Sequence, residues 1–295
     1  MTSGTRVGHT RIVGARRDFL EINQLDGSGA SVSTKRGTPA PAPIGFAHRG
    51  ARSLEKENTI AAFSRALLLG ASGLETDAWL TGDGVVVLDH DGLVGPIWRR
   101  RAMSVTARSD LPGHVPSLRD LYVCCGTSFE LSVDVKDPFA FVPLLSEARE
   151  AGASQRLWLC YPDWRLLASW RQEAPEVRLV ESTNLKKISG SFDAHLGSLA
   201  GSGVDALNLH RSQWTAQLVA AVRSAGLTAL AWDAQTPAAL REMLGMGVDG
   251  VYCDDVEMMM SALHPDRPHR LPICDKGQTI ANASPMMEEP DIGPM

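Results

Sequence analysis

The stretch GLETDAWLTGDGVVVLDHD, residues 73–91, starts as a buried strand and then breaks the rule for one. Parallel strands covered on both faces read as nearly continuous apolar runs. Here Glu75 and Asp77 stand two apart, so both point to one face. Thr81-Gly-Asp-Gly84 is a turn sequence, and Val85–Leu88 after it reads as the second arm of a β-hairpin. That hairpin returns Asp89-His90-Asp91 to the end of the strand that bears the carboxylates.

The pattern repeats on either side. Ile44–Ala47 runs straight into His48-Arg49-Gly50, and Phe129–Lys136 carries Asp134 and Lys136 two apart. Runs at Arg156–Cys160, Val177–Glu181, Asp205–Asn208, Thr228–Trp232 and Gly250–Cys253 bring the strands to eight. Helical spacing fills the intervals. It first appears after an Asn58–Thr59 cap signal, through Ile60, Phe63, Ala66, Leu67 and Gly70. It returns at Ser117–Cys125, Phe139–Ala151, Trp164–Glu173, Phe192–Ser202, Thr215–Ala225 and Pro237–Met246. Such alternation implies a parallel sheet, and eight units is the number that closes a barrel. A doubly wound open sheet competes on periodicity alone. The expected fold class is α/β: a TIM (β/α)8 barrel with a small insertion after strand 2 and flexible N- and C-terminal tails. The insertion is read over Gly92–His114 and holds Trp98 and Arg99–Arg101.

The barrel is expected over residues 44–263 of the 295. Residues 1–43, with six basic against three acidic side chains and a Gly/Ser-rich stretch, read as a flexible arm. Residues 264–295, with six of the seventeen prolines, read as a flexible tail. Hydrophobic residues make up 44% and charged residues 21%, an ordinary globular balance. A net charge of −5 argues against a nucleic-acid partner, because phosphate-backbone binders present a basic face. The five cysteines (Cys124, Cys125, Cys160, Cys253 and Cys274) include no C-x-x-C pair, which suits a reducing compartment. With no signal-peptide pattern, the expected location is cytoplasmic. Peripheral membrane contact through the basic arm or Arg99–Arg101 is compatible with the sequence, and no obligate protein partner is evident.

In a barrel, charged strand ends gather at the C-terminal rim, where barrel active sites sit. Three carboxylates meeting in a low-dielectric mouth repel one another unless neutralised. A divalent cation is the natural solution, and all-oxygen ligation suits Mg2+ or Ca2+ better than zinc.

At these residues the sequence resembles the glycerophosphodiester phosphodiesterase family. The resemblance rests on HRG at 48–50, ENT at 57–59, GLETD at 73–77 and the T-x-D-G turn at 81–84. It continues through His90-Asp91, Pro116-Ser117-Leu118, Trp232 and GVDGVYCD at 247–254. It implies that Glu75, Asp77 and Asp134 bind one divalent cation, Mg2+ or Ca2+. It further implies His48 and His90 as the general acid and base, and Arg49 and Lys136 as phosphate contacts. The implied reaction is metal-dependent hydrolysis of a small-molecule glycerophosphodiester to an alcohol and glycerol 3-phosphate. In the family pattern the substrate's own glycerol hydroxyl attacks first, giving a cyclic phosphate that water opens. Trp232 either packs against the substrate at the mouth or fills the barrel interior.

Three departures stand out. Asp134 replaces the family's usual glutamate in an E-x-K motif, shortening the side chain by one C–C bond, about 1.5 Å. The sphingomyelinase D-like phospholipases are similar in using aspartate there. Lys56 replaces the proline before ENT, and Asp233-Ala234-Gln235 replaces the family's residues after the tryptophan. Two further readings follow. One is a lysophospholipase D or sphingomyelinase D-like phosphodiesterase acting at a lipid surface. The other is a non-catalytic phosphodiester- or metal-binding barrel, which would have no need of two histidines.

Overall fold

Eight parallel strands close on themselves, because the first pairs with both the second and the last. In the computed structural model, which describes residues 42–266, β1 (Ile44–His48) lies between β2 (Gly73–Leu80) and β11 (Gly250–Cys253). Around the barrel from β2 follow β6 (Glu130–Val135), β7 (Leu157–Tyr161), β8 (Arg178–Ser182), β9 (Ala206–His210) and β10 (Thr228–Trp232). Closure through Ile44↔Gly250 and Phe46↔Gly73 excludes the open sheet. The expected N-terminal arm and C-terminal tail, with Cys274, lie outside the described residues apart from 42–43 and 264–266.

The insertion after strand 2 is also present. β3 (Val86–Leu88) runs antiparallel to β2, with Ala78 opposite Leu88. Next comes a small hairpin of β4 (Leu93–Val94) and β5 (Arg101–Ala102). Val87, Val94, Met103, Leu111 and Val115 form a private apolar cluster beneath it.

Side-chain alternation along the strands separates two cores. Ala47, Leu74, Leu131, Leu159, Leu179, Leu207, Ala229 and Val251 face outward against the helices. Phe46, Trp158, Cys160, Val180, Ala206, Leu230 and Tyr252 fill the interior. Phe46 stacks on Tyr252 with ring centroids 4.8 Å apart and meets Trp158 edge-on at 5.9 Å. Two glycines make this layer possible. A Cβ at Gly73 would lie 2.6 Å from the Phe46 ring, and one at Gly250 would lie 2.8 Å from Leu230.

The helices follow the cap signals. α1 (Ile60–Leu68) starts at Thr59, whose side chain accepts from the Ala62 amide. α2 (Leu118–Cys125) opens with a reciprocal Ser117–Asp120 capping box. α3 (Phe141–Glu150), α5 (Phe192–Gly201), α6 (Ala216–Ser224) and α7 (Pro237–Met246) fall within the expected segments. α4 (Trp164–Trp170) is shorter than expected. Arg171 turns the chain instead, donating to the carbonyls of Ala174, Val177 and Gly203 and pairing with Asp205. The eighth helix that a (β/α)8 barrel requires, to which the sequence reading gave no segment, is α8 (Val256–Leu263), where consecutive Met258, Met259 and Met260 blur the amphipathic contrast. Asp255 caps it by accepting from the Met258 amide.

Candidate active site

The C-terminal ends of the strands open into a cavity of about 710 Å3. His48, Arg49, Glu75, Asp77, His90, Asp134, Lys136 and Trp232 all line it. Register explains the convergence: Glu75 lies opposite His48 across β1–β2, and Asp77 opposite Asp134 across β2–β6. Interior positions at the bottom of the barrel are apolar, and the same faces at the top carry charge.

The His48 ring is oriented by a residue from the other end of the chain. Its Nδ1 lies 2.6 Å from Asp254 Oδ1. A carboxylate can only accept, so Nδ1 carries the hydrogen and Nε2 is the nitrogen 3.8 Å from Glu75 Oε2. Burial alone disfavours a charged His48, but Glu75 and Asp254 outweigh it and the net pKa shift is upward. Asp254 closes the GVDGVYCD run, yet sequence reading assigned it no role. A carboxylate directly after the last strand was the available signal. Asp254→Asn is expected to lower kcat about 10- to 100-fold, as loss of an orienting partner does. It should also move the His48 limb of the pH–rate profile to lower pH, since a neutral amide no longer favours the imidazolium.

His90 is placed by the hairpin. Asp89 Oδ1 accepts from the amides of Asp91 and Gly92, each at 2.9 Å, and the Asp89 amide donates to the Asp77 carbonyl. The Trp79 indole donates to the His90 carbonyl at 3.4 Å, and His90 Nδ1 pairs with Asp91 at 2.8 Å. The bond to Asp91 engages Nδ1 and leaves Nε2 outside it, on a ring that lines the cavity.

The ENT motif builds the wall beneath these groups. Glu57 pairs with Arg49 at 3.0 Å and Arg52 at 2.9 Å, Asn58 Nδ2 donates to Asp77 at 3.3 Å, and Thr59 caps α1. Arg49 and Asn58 adopt the left-handed region, with φ of 55° and 53°, an uncommon conformation for residues with side chains. Gly50 must be glycine, since at its φ of 80° a Cβ would lie 2.7 Å from the Ala62 backbone.

The chain supplies part of the neutralisation itself. Asp77, almost wholly buried, lies 3.3 Å from Arg49 Nε and 3.0 Å from Lys136 Nζ, and Lys136 is 2.5 Å from Asp134. Burial works against the Lys136 charge, but Asp134 and Asp77 outweigh it and raise the pKa. Among the described residues no three His, Cys, Asp or Glu side chains stand at ready coordination spacing. The Lys136 ammonium stands between Asp77 and Asp134 instead. Glu75 decides whether a cation suits this set. Burial pushes its carboxyl up to about 7, opposed by His48 and reinforced by the charges of Asp77 and Asp134. Three oxygen-bearing acids with charge still unrelieved after Arg49 and Lys136 are engaged fit a hard divalent cation such as Mg2+ or Ca2+.

The other half of the mouth comes from the ends of β8, β9 and β10 and the loops after them, where Ser182, Lys187, Asn208 and His210, which the sequence did not single out, join the expected Trp232. His210 pairs with Asp233 at 2.9 Å and meets the Trp232 ring edge-on at 4.5 Å. Trp232 is 42% exposed, so it belongs to the mouth rather than the interior packing. Asn208 Nδ2 donates to Ser182 at 3.2 Å, while its buried Oδ1 has no protein donor. Arg99–Arg101 are exposed and do not line the cavity.

A closed barrel with acids, imidazoles and fixed cations crowded at its C-terminal mouth is an α/β-barrel enzyme of the kind that works on anionic substrates. The sequence profile of the glycerophosphoryl diester phosphodiesterase family matches residues 48–121 and 129–258, well over half of the chain. The chain belongs to that family and is a phosphoric diester hydrolase. It is 25% identical over 239 residues to the glycerophosphodiester phosphodiesterase of Caldanaerobacter subterraneus subsp. tengcongensis, covering 73% of this chain and 96% of that one. Its fold matches the glycerophosphodiester phosphodiesterase of Thermotoga maritima with a TM-score of 0.65 and 21% identity, over 75% of this chain and 98% of that one. It also matches an Oleispira antarctica phosphodiesterase in complex with the product sn-glycerol-3-phosphate. There the TM-score is 0.64 at 20% identity, over 75% and 97% of the two chains.

Proposed function

We propose that the chain hydrolyses glycerophosphodiesters to an alcohol and glycerol 3-phosphate, with His48 and His90 moving the protons. The proposal also has Glu75, Asp77 and Asp134 hold one divalent cation. The observation that carries this reading is that all five side chains, with Arg49 and Lys136, face one cavity. A phosphodiester is an anion and repels nucleophiles, so its charge must be countered before attack. When bound, the cation supplies that neutralisation and stabilises the extra charge of the five-coordinate transition state. Arg49 and Lys136 add fixed positive charge beside it. One imidazole takes the proton of the attacking hydroxyl as the new P–O bond forms. The other gives a proton to the leaving oxygen as the old P–O bond breaks; when the attacker is the substrate's own glycerol hydroxyl the product is a cyclic phosphate, which water then opens to glycerol 3-phosphate.

Asn208 suits the alcohol side. A substrate hydroxyl donating to Oδ1 would satisfy an acceptor that has no donor among the described residues, in the cavity that Trp232 also lines. Asn208→Leu is expected to raise KM for glycerophosphocholine about tenfold with little change in kcat. Its melting temperature should not fall, because an unsatisfied buried group disappears. An unchanged KM would remove Asn208 from the substrate pocket.

The deciding experiment assays glycerophosphocholine, glycerophosphoethanolamine, glycerophosphoglycerol and lysophosphatidylcholine with Mg2+, Ca2+ or EDTA. Release of glycerol 3-phosphate that requires added cation supports the reading. Undiminished turnover in EDTA would overturn the cation, and exclusive cleavage of lysophosphatidylcholine would overturn the substrate class.

A further inference from the structure

Large apolar side chains left in solvent are not spread evenly over the described surface. All but two, Leu68 and Val123, lie in segments that follow strand C-termini or, for Trp232, at a strand's C-terminal end, at the mouth end of the barrel. The two exceptions sit toward the far ends of α1 and α2. The extreme case is the tip of the β4–β5 hairpin, where Ile97 is 81% and Trp98 87% exposed. Leu54, in the loop after β1, and Phe139, in the loop after β6, are exposed beside it in barrel order.

The tip is built, not loose. Val94 pairs with Arg101 across the hairpin, and the Arg99 amide donates to the Pro96 carbonyl at 2.8 Å. At Gly95, with φ of 99°, a Cβ would lie 2.9 Å from the Arg99 carbonyl oxygen. The cluster around Met103 anchors the hairpin from below. Two apolar side chains are thus held outward, where burying them in their own core would ordinarily be favourable.

Arg99, Arg100 and Arg101 follow directly, all exposed, and among the described residues none has a carboxylate within ion-pair distance. This is a local positive patch on a chain whose net charge is −5. A tryptophan and an isoleucine exposed at a hairpin tip, followed by three exposed arginines with no ion pair among the described residues, match the chemistry of a bilayer interface. The indole and aliphatic chain enter the acyl boundary while guanidinium groups meet anionic headgroups. A globular protein partner is less well matched, because the exposed apolar side chains belong to separate loops and three exposed arginines directly follow the most exposed pair.

We infer that the mouth end of the barrel docks on anionic lipid bilayers through the 95–101 hairpin tip, with Ile97 and Trp98 inserting and Arg99–Arg101 binding headgroups. The docking is independent of the chemistry in the cavity. It would bring the active-site mouth to the membrane surface.

The test is co-sedimentation of the full chain with vesicles of phosphatidylcholine alone or mixed with phosphatidylglycerol. The wild-type chain is expected to pellet with the mixed vesicles and to be released by salt. The double variant Ile97→Ser/Trp98→Ser should partition at least about tenfold less. Arg99→Gln/Arg100→Gln/Arg101→Gln should lose roughly a hundredfold on anionic vesicles and most of the salt dependence. Both variants should hydrolyse soluble glycerophosphocholine at the wild-type rate, which also checks their folding. A wild-type chain that stays in the supernatant with both vesicle types overturns the inference. So does an Ile97→Ser/Trp98→Ser variant that pellets like wild type, which would transfer the binding to another part of the chain.

Discussion

His48→Ala is expected to lower kcat about a thousandfold, within the usual span for losing a general acid or base. The imidazole is held on one side by Asp254 and faces Glu75 on the other, so its reactive nitrogen is aimed before substrate arrives. No neighbour can replace it. The guanidinium groups of Arg49 and Arg52 hold no acceptor, and the Asp254 carboxylate lies on the Nδ1 side of the ring, away from the nitrogen that faces Glu75. The fold should survive, because the ring is about a quarter exposed and lies at the end of β1 rather than in the apolar layer. His90→Ala should lose a comparable factor, since in the proposed mechanism the two imidazoles serve opposite ends of the same displacement. Steady-state kinetics with circular dichroism on both variants checks this. A rate within tenfold of wild type for either would refute the acid–base pair.

The second large effect falls on stability and activity together. Asp77→Ala removes the carboxylate that faces Arg49, Lys136 and Asn58, and all three partners lie in or beside the barrel wall. Stripping the counter-charge from partly buried cations costs about 3–5 kcal/mol, which for a domain of this size is a fall in Tm of roughly 6–20 °C. The same change removes one of the three proposed cation ligands, so turnover should vanish at any Mg2+ or Ca2+ concentration. Melting in EDTA separates the two consequences, since there only the Arg49, Lys136 and Asn58 contacts are lost. A melting temperature within a degree or two of wild type would mean that these ion pairs contribute little. Unchanged cation dependence of activity would mean that Asp77 is not a ligand.

The legibility of the site in the sequence differs residue by residue. Glu75 and Asp77, like Asp134 and Lys136, announce themselves because charged side chains two apart violate the apolar pattern of a doubly covered strand. His90 is legible because a turn and a short apolar run must bring it back beside that strand. The ENT motif was recognisable as a helix start. Its other work, Glu57 pairing with two arginines and Asn58 holding Asp77, depends on where the loop after β1 folds. Asp254 was written in plain view at the end of the last strand. Its partnership with His48, 206 positions away, exists only once β11 lies against β1. Asn208 and His210 are ordinary polar residues in their own sequence neighbourhoods, and no local pattern marks them.

The sequence by itself determined the alternation of strands and helices and which face of each strand is polar, because both follow from side-chain periodicity along a few consecutive residues. It also marked one set of acids, bases and imidazoles as belonging to one end of the strands. Only the tertiary structure decided that the sheet closes, since closure depends on the pairing of β1 with β11 across the whole chain. Closure in turn set Asp254 behind His48, the Lys136 ammonium between two carboxylates, and Asn208 and Trp232 across the mouth from both. Those relations are distances between residues far apart in the chain, and electrostatics and hydrogen bonding act through distance in space rather than position in sequence.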